Sequence, residues 1–116
     1  MAAPANAPAS LNIVLVVESD VLVRMAICEY LRHCGYRVFE AATAEEAITL
    51  LQKTTIPVDV VLTDVDLSGA MNGFGLSQWV RLNRPGTDVA HGRNRRTYRG
   101  CCRAALRQRA YAGEAV

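Results

Sequence analysis

The 116 residues predict an α/β domain built on a parallel sheet. Two observations carry that prediction. Short apolar, β-branched runs alternate along the chain with stretches whose apolar residues recur at helical spacing, the pattern of strands joined by crossover helices. Capping residues, glycines and prolines fall between those stretches, where such a chain must turn.

The first run, "LNIVLVVE" (Leu11–Glu18), is almost continuously apolar, as in a strand covered on both faces. "SDVLVRMAICEYLRHCG" follows, with Val23, Ile27, Leu31 and Cys34 forming one helical stripe. Ser19 or Asp20 can cap its start, and Gly35 suits a left-handed stop. "YRVFEA" is a second, short strand. "TAEE" (Thr43–Glu46) is a capping box opening a helix to about Lys53, with Ala47, Ile48 and Leu51 inward. Pro57 precedes a third strand, "VDVVLT", and "SGAMNGFG" reads as a loop. "LSQWVRLN" is a third helix, with Trp79 in the core, and "NRPG" (Asn83–Gly86) ends it. A fourth strand begins at "TDV" and goes no further. The crossovers should be right-handed.

Composition bounds the function. A chain of this length is one small domain, and about half of it (51%) is apolar, enough for a packed core. No run of about 18 apolar residues exists to cross a membrane. The start, "MAAPANAPAS", lacks the charged and apolar regions of a secretory signal and reads as a disordered lead-in over residues 1–10. Cys28, Cys34, Cys101 and Cys102 match no zinc or disulfide spacing, which suggests reduced thiols and a cytoplasmic setting. Charge is uneven. Residues 1–88 carry six Lys/Arg against ten Asp/Glu, a net of −4, whereas residues 89–116 carry seven Arg against one Glu, a net of +6.

In a parallel sheet, ligands sit beyond the carboxyl ends of the strands. The first strand ends on Glu18 and the third on Asp64, with Asp66 two residues on. If the two strands are neighbours, their acidic tips meet. Carboxylates brought together repel, and a hard divalent cation removes that cost. Mg²⁺ takes oxygen ligands, few carboxylates and retained waters, and leaves room for a phosphate. The residues thus suggest a Mg²⁺-assisted phosphoryl site. The alternative is a pair of solvated, helix-capping acids.

The segments Ile13–Leu51 and Val58–Val89 resemble the receiver domain of two-component response regulators. The acidic turn after the first strand, "GYRVFEAATAEEA", the Asp at the tip of the third strand and the loop ending in "NGFGL" carry the likeness. It implies a flavodoxin-like doubly wound parallel sheet with three β-α units present and the fourth and fifth strands missing or non-native. It implies Asp64 as phosphoacceptor, taking phosphate from a sensor histidine kinase as an aspartyl phosphate. Glu18, Asp64 and the backbone carbonyl of Asp66 would hold Mg²⁺. Thr63 and Val65 would be structural. The chain would be a signalling module of phosphorelay systems and not an enzyme.

Two departures from the family pattern stand at the site. Ser19 occupies the place of a second acid that is usually a metal ligand, and Asp20 comes one position late. Weakened Mg²⁺ binding is therefore expected. Ser68 replaces a proline common in the loop, which should loosen that loop.

The tail departs further. The family places a Thr or Ser after strand 4 and a Lys, usually followed by Pro, after strand 5. Residues 90–116 supply neither and contain no lysine. Read one base later, codons for Ala90–Arg93 permit Leu-Thr-Gly-Gly, and the chain's end permits Lys-Pro. We therefore expect a frameshift near Val89, leaving a partial receiver domain over 11–89 and an out-of-frame basic tail over 90–116. Strand 3 would then be an open edge, inviting self-association, and Val14, Val16 and Val60 would lose cover. Two other functions stay open: a fragment that binds a partner without phosphotransfer and, ranked lower, a nucleic-acid binder using the tail arginines.

Overall fold

A computed structural model describes residues 13–92 of the chain. The lead-in and residues 93–116, with the expectations attached to them, lie outside the described residues. In order, the elements are β1 (Ile13–Val17), α1 (Val21–His33), β2 (Arg37–Ala41), α2 (Ala44–Leu51), β3 (Val60–Thr63), α3 (Gly73–Asn83) and β4 (Asp88–His91). They form one parallel sheet in the order β2-β1-β3-β4.

Strand alternation divides the core into two layers. Ile13, Leu15 and Val17 of β1 face α2 and α3, packing with Val61, Ala44, Ala47, Leu51, Leu76 and Val80. Val14 and Val16 face the other way, onto Ile27, Cys28 and Leu31 of α1 and onto Leu62. All five β1 residues are buried, as the unbroken apolar run predicts. The expected loss of cover does not occur at Val14 or Val16, because α1 lies over both; Val60 is half-buried against the same layer.

Local signals set most element ends. Asp20 is the α1 cap, its carboxylate accepting from the amides of Leu22 and Val23 at 2.9 and 3.1 Å. The helix closes on Gly35 at φ 100°. There the Tyr36 amide donates to the Leu31 carbonyl and the Gly35 amide to the Arg32 carbonyl, the paired bonds of a Schellman stop. At α2 the Thr43 hydroxyl accepts from the Glu46 amide, while the Glu46 carboxylate reaches back one residue further than a standard box, to the amide of Ala42. The helix ends at Leu51, two residues short of expectation. The Arg84 guanidinium donates to the carbonyls of Leu51 and Ile56, satisfying part of that helix end.

The structure corrects two expectations. α3 starts at Gly73, three residues before the predicted start, with Asn72 as its cap accepting from the Gly75 amide at 2.9 Å. Two glycines in the first turn hid that start, since glycine is a poor helix former. The fourth strand also forms. Asp88, Val89, Ala90 and His91 pair in register with Val60, Val61, Leu62 and Thr63. β3 is therefore not an open edge, and self-association through it loses its premise. The β3 backbone offers the ladder, and Val89 and Ala90 pack against the two core layers on either face. No helix among the described residues is long and apolar enough to cross a membrane.

Candidate functional site

The site sits at the carboxyl ends of β1 and β3. These strands are neighbours, with Val17 opposite Thr63, so Glu18 and Asp64 are the next residues on adjacent strand tips. The Asp64 amide donates to the Val17 carbonyl at 3.1 Å, continuing the ladder by one bond. Both acids are buried, Glu18 at 2% and Asp64 at 8% exposure. That burial separates them from the solvated capping acids of the alternative reading, a role the structure gives instead to exposed Asp20.

Glu18 is fixed on three sides. Its amide donates to the Ala41 carbonyl at 3.1 Å, and its carbonyl accepts from the Arg24 guanidinium at 2.8 Å. One carboxylate oxygen, Oε2, accepts from the Asp20 amide at 2.9 Å. Arg24 is itself paired with Glu40 of β2 at 3.2 Å, and Arg32 approaches the other oxygen of Glu40 at 3.3 Å. The carboxylate of Asp64 accepts a long bond from the Asp66 amide, 3.3 Å, which curls the loop over the strand end. Thr63 is fully buried and its hydroxyl donates to the Asp64 carbonyl at 2.9 Å.

Gly73 is part of the site's construction. A Cβ there would lie 2.2 Å from the Asp64 carbonyl oxygen and 2.9 Å from the Val65 Cα. The first turn of α3 packs directly on the backbone of Asp64, and only glycine permits that approach. Trp79, further along α3, is a partly buried core residue.

Ser19 is not placed as a free ligand. Its hydroxyl donates to the Ala42 carbonyl at 3.1 Å and accepts from both the amide and the hydroxyl of Ser68, at 2.9 and 3.0 Å. The loop carrying Ser68 is therefore tied down, where the missing proline had predicted a looser one. His91, at the end of β4, pairs in register with Thr63 and lies against Phe74, ring centroids 5.6 Å apart.

The donor set suits a hard cation thinly. Two neighbouring buried carboxylates and the Asp66 carbonyl are oxygen donors of the kind Mg²⁺ takes, with water and phosphate completing its shell. No group of three or more His, Cys, Asp or Glu able to hold a metal occurs among the described residues.

Two buried acids at adjacent strand ends of a 2-1-3-4 parallel sheet define a class: doubly wound domains that bind at the strand carboxyl ends. The response regulator receiver domain model matches residues 14–91, and the chain belongs to that family. Among curated relatives, the Arabidopsis thaliana two-component response regulator ARR2 is 40% identical over 75 residues, covering 65% of this chain and 11% of its own. A cyclic di-GMP phosphodiesterase of Thermotoga maritima is 38% identical over 72 residues, covering 62% of this chain and 18% of its own. The chain thus spans less than a fifth of these relatives. The chemotaxis response regulator CheY4 of Vibrio cholerae superposes with TM-score 0.65 at 29% identity, over 70% of this chain and 67% of that one. A receiver protein of Methanospirillum hungatei superposes with TM-score 0.68 at 18% identity, over 91% and 99%, a likeness of fold.

Proposed function

We propose that this receiver domain accepts a phosphoryl group on Asp64 from a sensor histidine kinase. An Asp64 carboxylate oxygen attacks the phosphorus of a phosphohistidine. A P–O bond forms, the P–N bond breaks, and the imidazole leaves with the bonding pair and takes up a proton. Glu18, Asp64 and the Asp66 carbonyl are the residues that would hold Mg²⁺. When bound, Mg²⁺ neutralises charge on the transferring group. The observation that carries the reading is the burial of Glu18 and Asp64 side by side at the ends of β1 and β3. Carboxylates brought together repel, and a cation with a phosphate is a ligand that such a pair fits.

Acceptance and output separate in this chain. A phosphoryl group adds close to two negative charges. The family reads them with a hydroxyl after strand 4 and a lysine after strand 5. Here β4 ends on His91, and the chain has no lysine beyond Lys53. We therefore read the domain as a module that takes phosphate but transmits it poorly. We read residues 90–116 as out of frame; the nucleotide sequence decides this, and a gene unable to encode Thr-Gly-Gly and Lys-Pro in the shifted frame ends it.

Transfer of ³²P from a phosphorylated kinase or a small phosphodonor tests the main reading. Acid- and alkali-labile label, as an acyl phosphate gives, present in the wild type and absent in Asp64→Asn, is the expected result. Label that survives that substitution, or no label at all, overturns it; kinase binding unaffected by Asp64→Asn would then favour a passive binding module.

A further inference from the structure

The two departures at the site are partners. Ser19 and Ser68 are 49 residues apart in sequence and meet through two hydrogen bonds. A serine hydroxyl has one proton to donate and two lone pairs. At Ser19 the proton goes to the Ala42 carbonyl, and the lone pairs accept the Ser68 amide and the Ser68 hydroxyl. Its capacity is full. One oxygen atom joins the turn after β1, the segment after β2 and the loop after β3, which are the three segments around Asp64.

We propose that Ser19 is a positioning residue and not a metal ligand: with Ser68 it forms a cation-independent tie holding the Asp64–Ser68 loop over the strand ends. This rests on the phosphoacceptor reading for its functional meaning. The chemistry of position 68 supports it. A proline there has neither an amide proton nor a hydroxyl, so both bonds to Ser19 require a residue other than proline. An acid at position 19 is a ligand that a cation draws inward; a serine there is useful to the loop only if it finds such donors. The Asp66 carbonyl lies within the tied segment, so its placement is set before any cation arrives. Mg²⁺ can recruit the Ser19 oxygen only by breaking a bond to Ser68.

The test uses amide hydrogen exchange at Ser68 in the full chain without divalent cations. In Ser19→Ala the Ser68 amide should exchange about 3- to 10-fold faster, the range a single net hydrogen bond gives. Ser19→Thr, which keeps the hydroxyl, should restore the slow rate. A second arm is calorimetric titration with Mg²⁺. Ser19→Ala and Ser68→Pro should weaken binding by similar factors, and the double variant should be no weaker than either, the mark of one shared interaction. Unchanged exchange in Ser19→Ala overturns the proposal. So does a loss of Mg²⁺ affinity in Ser19→Ala that is absent in Ser68→Pro, since that would make Ser19 a direct ligand. A chain whose Ser68 amide depends on Ser19, yet which takes no phosphate on Asp64, keeps the tie and removes the phosphoacceptor reading.

Discussion

β1 and β4 are both strands of one sheet, yet they are built differently. β1 is five apolar residues buried on both faces, with a buried acid at its tip. β4 is four residues, the first exposed and the rest half-buried, ending on a histidine. The central strands owe their place to side-chain packing in two layers. β4 pairs with β3 and packs more lightly, Val89 against one layer and Ala90 against the other. The strand ends carrying Glu18 and Asp64 are thus framed by fully buried packing, and the last described strand by half-buried packing.

That contrast can be broken by substitution. Leu15 is fully buried at the sheet centre. Leu15→Ala should destabilise by about 2–5 kcal/mol, whereas Val89→Ala in half-buried β4 should cost about 1 kcal/mol. Denaturant unfolding measures both, and equal losses would show that β4 is as well packed as β1.

Next in size is an effect of pH on the α1 layer. Burial, with the nearby Glu40 charge adding and Arg32 and Arg24 opposing, pushes the Cys28 thiol from 9.0 up to about 11. The folded state therefore keeps its proton where the unfolded chain loses it. The contribution is fully present below pH 9 and is lost as pH rises towards about 11, a change on the order of 2–3 kcal/mol. Cys28→Ala should flatten the stability profile in that window. The native thiol should also resist alkylation at neutral pH, being buried and protonated.

The smallest effect concerns the entry to α1. Asp20→Ala removes a cap that satisfies two amides and should cost about 1 kcal/mol. Phosphate acceptance should persist, since Asp20 turns away from Glu18 and Asp64 to its own helix. A loss of Mg²⁺ affinity comparable to that in Glu18→Gln would instead make Asp20 the second acid of the site.

Much of this domain was legible along the chain. The stripe of Ile27, Leu31 and Cys34, the Thr43 capping box, the Gly35 stop and the unbroken β1 run are patterns whose spacing is the helix or strand period itself, so local reading finds them. The acids at the tips of β1 and β3 were legible for the same reason. Contacts across long sequence separations were not. The bond from Ser68 to Ser19, the approach of Gly73 to the Asp64 carbonyl and the pairing of Ala90 and His91 with β3 leave no periodic mark. Each depends on where two distant backbones come to lie, and a hydrogen bond or a steric limit of a few ångströms is set only when the packed layers fix that distance.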